Sequence, residues 1–137
     1  MSEPVDVALE HAALVTAALA AREHAHAPYS KFLVGAALED SAGRIHTGCN
    51  VENATYGLTV CAERVAVLKA ISEGARQFRH IAIAADTETL TPPCGACRQI
   101  LWEFCGDIPV ILVNLSKTSE LIQLKSLFPR AFDASFL

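Results

Sequence analysis

Charge is scarce in this chain of 137 residues: Asp, Glu, Lys and Arg make up 19% of it, against about 25% in an ordinary globular domain. The deficit accompanies an apolar fraction of 52%, so part of the apolar surface is expected to be covered by further copies of the chain. A basic excess is also lacking. The formal net charge of −4 argues against binding a nucleic-acid polymer, which normally calls for a basic patch or stripe. No apolar run approaches the ~20 residues of a membrane span. The acidic start, Met1–Asp6, lacks the charged and apolar regions of a secretory signal. A cytoplasmic protein without membrane contact is therefore expected. No repeat, linker or low-complexity tract divides the chain, and residues 1–137 read as one domain. A Gly-rich phosphate cradle and an Arg cluster are both missing, and the five histidines show no metal-ligand spacing.

Cysteine is present, in the odd number of five. In a reducing compartment such residues serve as ligands or in packing rather than as disulfides. Three of them fall in a pattern, Cys61-Ala62-Glu63 and then Pro93-Cys94-Gly95-Ala96-Cys97. Three thiolates with a carboxylate that is not a ligand suit hydrolytic zinc, which takes three protein ligands and keeps a fourth position for water, whereas structural zinc is usually closed by four. Two residues beyond the first ligand, Glu63 can face the open position and handle the water's proton. General acid–base work of this kind is worth about 10²–10⁴ in rate, or about 3–5 kcal/mol at the barrier.

Three thiolates outweigh the charge of the metal, so they activate water less than three imidazoles would. Helix N-termini beneath the cysteines are expected to draw off some of that negative charge. Arg64 has two readings, as a hydrogen-bond donor to a ligand sulfur or as a solvated helix charge. Other readings of the cysteines also stand. A redox pair at Cys94 and Cys97 would leave Cys61 and Glu63 without a role, and a closed structural site would need Cys49, Cys105 or His46 as a fourth ligand. Cys49 and Cys105 read as small packing residues, since free Cys is among the most buried types.

Helical spacing of Val5, Ala8, Leu9, Ala12 and Leu19 after Pro4 predicts a first amphipathic helix ending before Pro28. Two strands, Phe32 to Leu38 and Arg44 to Cys49, are predicted to form a hairpin across Asp40-Ser41-Ala42-Gly43. Thr59 can cap a helix running through Glu73 and closed by Gly74. Phe78 to Ala85 reads as a buried strand. Cys94 and Cys97 share one face at the start of a helix ending at Gly106. Strands follow at Ile108 to Asn114 and around Leu121 to Leu124. This alternation implies an α/β layered sandwich with a mixed sheet, the hairpin antiparallel and the later crossovers favouring parallel pairs.

Gly48-Cys49-Asn50-Val51-Glu52-Asn53-Ala54-Thr55-Tyr56, running into Cys61-Ala62-Glu63-Arg64, resembles the small homotetrameric zinc-dependent cytidine deaminases. Pro28-Tyr29-Ser30-Lys31-Phe32-Leu33-Val34-Gly35-Ala36-Ala37-Leu38, Pro93 to Gln99, and Ser126-Leu127-Phe128-Pro129-Arg130-Ala131-Phe132 are similar to that family as well. The resemblance implies a three-layer α/β/α sandwich around a central mixed sheet. It also implies one Zn²⁺ per subunit on Cys61, Cys94 and Cys97, with Glu63 as proton shuttle. On the same basis Asn50 and Glu52 contact ribose hydroxyls and Phe32 packs on the pyrimidine. Ala54, Tyr56 and Phe132 are implied to be lent by a neighbouring subunit, making each active site composite.

The implied activity is hydrolytic deamination of cytidine and 2′-deoxycytidine to uridine and 2′-deoxyuridine with release of ammonia, a step of pyrimidine salvage. Two alternatives are a deaminase of another small aminopyrimidine nucleoside, of blasticidin type, and a non-catalytic structural zinc module. Without the resemblance, Asn50 reads as a turn residue, Glu52 as a solvated carboxylate and Phe32 as core. The last five residues, Asp133 to Leu137, carry no motif.

Overall fold

A computed structural model describes residues 6–137. Met1–Val5, comprising most of the acidic start and the first expected helical position, lie outside the described residues. Asp6 caps α1 (Val7–Glu10) by accepting the Leu9 amide at 3.2 Å, and α2 (Ala12–Arg22) follows. The expected single helix is thus interrupted at His11. There the backbone leaves the helical region (φ −113°, ψ 38°) and the ring packs against His80, with centroids 4.6 Å apart.

The hairpin forms as expected from β1 (Val34–Asp40) and β2 (Ile45–Cys49), paired antiparallel. β1 starts at Val34 rather than Phe32 because side chains claim the preceding carbonyls. Asn50 Nδ2 donates to the Phe32 carbonyl at 2.7 Å and Arg22 Nε to that of Leu33 at 3.2 Å. Then come α3 (Ala62–Ser72), β3 (Phe78–Ala85), α4 (Gly95–Cys105), β4 (Pro109–Val113), β5 (Ser119–Gln123) and the short α5 (Leu124–Leu127).

The strands lie in the order β2-β1-β3-β4-β5. The sheet is mixed, but the crossover through α3 does not make a parallel pair. β2 already occupies one edge of β1, so β3 docks on the other edge and runs antiparallel to it. Only β3 and β4, joined through α4, are parallel neighbours. β5 returns antiparallel to β4.

Alternation along the strands separates two cores. Val34, Ala36 and Leu38 of β1, Ile81 and Ile83 of β3, and Val110 and Leu112 of β4 pack with Ala62, Ala66 and Val67 of α3 and Leu101 of α4. Ala37, Ala82, Ala84, Ile111 and Val113 point the opposite way, onto Leu14, Val15 and Ala18 of α2. This is the expected α/β/α sandwich. Two strand glycines permit the close approach of its layers. A Cβ on Gly35 would sit 2.1 Å from the Ala18 carbonyl oxygen, and one on Gly48 would sit 2.5 Å from both the Ala62 oxygen and the Ala66 nitrogen.

Gly35→Ala and Gly48→Ala should each lower the urea midpoint, with a loss of about 1–3 kcal/mol or more, because the obstructing atoms are helix backbone. An unchanged midpoint would show that the helices can move away without loss.

At the turn between β1 and β2, buried Asp40 accepts the Ala42 and Arg44 amides through Oδ1 and bonds His46 Nε2 through Oδ2, all at 2.9 Å. The bond to His46 first, and then those to the turn amides, holds the Asp40 carboxyl below its usual range. A carboxyl depressed in the fold contributes its full stabilisation above the unfolded pKa of about 4 and loses it as pH falls through the folded value. Asp40→Asn should therefore be less stable at neutral pH and decline less steeply below about pH 4. Urea titrations at successive pH values read this directly, and parallel wild-type and variant curves would refute it.

Candidate metal centre and active site

Both cysteine motifs lie where a helix begins against the same face of the sheet. Cys61 is the N-cap of α3, in an extended conformation (φ −72°, ψ 154°), and its carbonyl accepts the Val65 amide at 3.1 Å. The expected cap by Thr59 is not formed. Thr59 closes a preceding 3₁₀ turn, its hydroxyl accepts the Asn53 amide, and its carbonyl accepts from Arg64. Cys94 is the N-cap of α4, where its sulfur accepts the Cys97 amide at 3.5 Å. Two helix N-termini therefore converge on one group of sulfurs.

The three sulfurs lie within 4.8 Å of one another, with Cys94 3.3 Å from Cys97 and 3.9 Å from Cys61. Arg64 Nη2 donates to the Cys61 sulfur at 3.6 Å as well as to the Thr59 carbonyl at 3.2 Å. Arg64 is thus half-buried behind the cysteines rather than a solvated helix charge. Hydrogen bonding from Cys97 first, and then from Arg64, draws the Cys61 thiol down to about 5. Cys97 is raised because it keeps the proton shared with Cys61 and is buried. A low-pKa thiol beside a guanidinium, at two helix starts that favour anions, suits a thiolate-bound cation. Three soft donors with no fourth fit a zinc ion that keeps a position open.

A closed four-ligand site is not formed among the described residues. His46 is engaged with Asp40, and neither Cys49 nor Cys105 belongs to the sulfur group. Burial pushes the Cys105 thiol up to about 12, the behaviour of a packing residue. Glu63, in the first turn of α3, is 5% exposed, so it is no surface carboxylate. Burial is the main cause that raises its pKa.

In front of the cysteines is a cavity of about 180 Å³ lined by Phe32, Val34, Asn50, Thr59, Cys61, Ala62, Glu63, Ile83, Thr91, Pro92 and Cys94. An adjoining hollow, sharing Thr59, is lined by Tyr29, Ser30, Glu52 and Tyr56. Phe32 is neither strand nor core: it precedes β1 and is 40% exposed at the cavity wall. Asn50 is a buried brace, accepting the Val34 amide at 2.9 Å while donating to the Phe32 carbonyl. Glu52 accepts the Tyr29 and Ser30 amides at 2.9 and 3.1 Å and the Ser30 hydroxyl, and these bonds, that of the Ser30 hydroxyl above all, hold its carboxyl below the usual range.

Ala54 is exposed and lines neither hollow, and exposed Phe132 does not line its own chain's cavity. Ser30, Thr59, Thr91 and Pro92 also line the two hollows, without a site motif of their own in the sequence. The only local signal for the last two was their position just before Cys94. A larger groove between α1, α2 and Lys117 lies beyond the opposite face of the sheet from the cysteines.

A mixed-sheet α/β/α sandwich with three thiols and a buried carboxylate at two helix N-termini is the framework of a zinc-dependent hydrolase. The profile of the cytidine and deoxycytidylate deaminase zinc-binding region matches residues 9–113. The chain belongs to that family, whose members are zinc-dependent hydrolytic deaminases. It is 51% identical over 120 residues to a cytidine deaminase of Sporosarcina psychrophila, covering 87% of this chain and 88% of that one. It is also 51% identical over 122 residues to a cytidine deaminase of Halalkalibacterium halodurans, covering 88% and 92%. The crystal structure of cytidine deaminase from Burkholderia pseudomallei superposes with a TM-score of 0.87 at 46% identity, covering 89% of this chain and 98% of that one.

Replacing Cys61, Cys94 or Cys97 by Ala should lose zinc and thermal stability together, since metal affinity for a folded site is folding energy. Cys49→Ala and Cys105→Ala should keep the zinc stoichiometry of the parent protein. Metal analysis of the purified variants decides, and zinc loss in either of the last two would restore the four-ligand reading.

Proposed function

We propose that this chain deaminates cytidine and 2′-deoxycytidine hydrolytically to the corresponding uridines, releasing ammonia, in pyrimidine salvage. The observation carrying the proposal is buried Glu63 in the wall of a cavity that Cys61, Cys94 and Asn50 also line, with Cys97 gathered behind it and Glu52 in the adjoining hollow. The names of its relatives support the choice of nucleoside. A cavity of about 180 Å³ is smaller than the ~300–1,000 Å³ of drug-sized sites, and suits a single small heterocycle.

Cys61, Cys94 and Cys97 would hold a zinc ion, which would supply the Lewis acidity that makes water a nucleophile near neutral pH. Glu63 takes one proton from the attacking water and delivers it to N3 of the cytosine ring, then takes the proton left on the added hydroxyl and delivers it to the amine, which departs as ammonia as the carbonyl forms. Burial suits it to this work, because a raised carboxyl pKa lets it both take and return a proton. Arg64 holds the Cys61 sulfur and limits its donation of charge to the metal. Phe32 covers one face of the ring.

Asn50 spends one amide hydrogen on the Phe32 carbonyl and has a second for a ribose hydroxyl. Glu52, oriented by Ser30, retains acceptor capacity on Oε2 for another hydroxyl. Residues 1–137 act in this reading as a single catalytic domain. The protein works as a homotetramer in which Ala54, Tyr56 and Phe132 complete a neighbour's site. Support comes from the exposure of Tyr56 (76%), Leu58 (63%) and Phe132 (56%). Five free cysteines fit a reducing cytoplasm, and among the described residues no helix is long and apolar enough to cross a membrane.

The test follows the ultraviolet change and ammonia release from cytidine with zinc-loaded protein. Glu63→Gln should keep zinc and fold while losing about 10²–10⁴ in kcat, because the amide cannot carry a proton. Near-parental turnover would remove Glu63 from the reaction, and zinc binding without any turnover by the parent protein would favour a structural module.

A further inference from the structure

The C-terminal segment, whose last five residues carry no sequence motif, is attached to the helix that bears two of the metal-site cysteines. Three side chains on α4 hold it. Arg98 Nη1 donates to the Leu127 carbonyl, Gln99 Nε2 to the Phe132 carbonyl at 2.9 Å, and Trp102 Nε1 to Asp133 Oδ2 at 3.0 Å. Asp133 uses its other oxygen differently. Oδ1 accepts the Ser135 amide at 2.9 Å and the Ser135 hydroxyl, capping the 3₁₀ turn Ala134–Phe136.

That turn brings Phe136 back over Phe132. The two rings are stacked, 5.7 Å between centroids and 12° from parallel, and both are mainly in solvent, at 69% and 56%. An aromatic pair held this way by hydrogen bonds to its backbone and to Asp133, yet uncovered by its own chain, is built for presentation rather than for the core. Four of these bonds lie immediately C-terminal to the Phe132 ring, one to its own carbonyl and three at the Asp133 carboxylate.

We propose that Asp133 is a positioning residue: joining Trp102 on one side and the terminal turn on the other, it holds Phe132, backed by Phe136, in the orientation that a second copy's nucleoside pocket requires. This rests on the proposed role of Phe132 in a neighbouring site. The chemistry is preorganisation. A short, exposed C-terminal segment would otherwise sample many conformations, and ordering it on each assembly or substrate-binding event would weaken nucleoside binding.

Trp102 is the only tryptophan in the chain, so its emission reports the Asp133 contact independently of turnover. The experiment compares zinc-loaded parent, Asp133→Ala, Phe132→Ala and the double variant, reading cytidine kinetics, tryptophan emission and zinc content. For Asp133→Ala we expect a red-shifted emission, parental zinc, and a rise in KM of about three- to tenfold, the scale of one lost hydrogen bond, with a smaller change in kcat. The double variant should be no worse than Phe132→Ala, since residues acting through one another are not additive. Multiplying losses, or a red shift with unchanged KM while Phe132→Ala is impaired, would overturn the positioning role and leave the role of Phe132 intact. Full activity of Phe132→Ala would overturn both. If Asp133→Ala fails to fold, Trp102→Phe removes the indole donor while keeping an aromatic ring against the core; without the emission readout, the same KM rise, parental zinc and the same non-additivity with Phe132→Ala are expected of it.

Discussion

Three thiols gathered within 4.8 Å of one another repel as soon as more than one is ionised, and much of the structure is organised around tolerating that charge. Two helices begin at the cluster, so their unsatisfied amides and dipoles face the sulfurs. Cys94 makes this concrete by accepting the amide of Cys97. The guanidinium of Arg64 lies against Cys61, and its Nε is the one buried side-chain polar atom among the described residues without a hydrogen-bond partner. A side chain held at that cost is better explained by the charge it faces than by helix stability.

The sheet makes the convergence possible. α3 lies close enough to β2 to exclude a Cβ at Gly48, which places the start of α3 next to the end of the strand that delivers Asn50. α4 is brought to the same place by the one parallel crossover, from β3 to β4. The loop before Cys94 is secured from beneath, because buried Asn114 at the end of β4 donates to the Thr87 carbonyl and accepts the Thr118 amide. Asn50, Glu52 and Asn114 each tie backbone segments together, so the polar groups that shape the cavity are also those that hold its loops.

The open side of the cavity has a different character. Phe32, Tyr29 and Tyr56 are exposed there, and the Phe132–Phe136 stack is exposed as well. A low charged fraction and uncovered aromatics leave the rim of the site largely apolar.

The two cysteine motifs, the acid beside the first of them and the hairpin were legible in the sequence because each depends on local rules: ligand spacing, helix starts, and alternation ended by a glycine turn. Phe78–Ala85 was also legible, since a continuous apolar run between turn signals leaves few alternatives to a buried strand. Pairing was not legible locally. Which edge of β1 accepts β3 depends on β2 having taken the other edge, and that is a property of the assembled sheet. The same limit hid the bonds of Glu52 to Ser30, of Arg64 to Cys61 and of Trp102 to Asp133, whose partners lie on elements brought together only by folding or, for Arg64, depend on how the helix start is turned. Thr59 was misassigned as a cap for a related reason: the propensity of its side chain for the N-cap yielded to the need to begin α3 at the cysteine itself. Local sequence thus determined which chemical groups the protein has and on which elements they ride, whereas tertiary structure alone decided which of them meet, because burial and hydrogen-bond partners are set by contacts between distant segments.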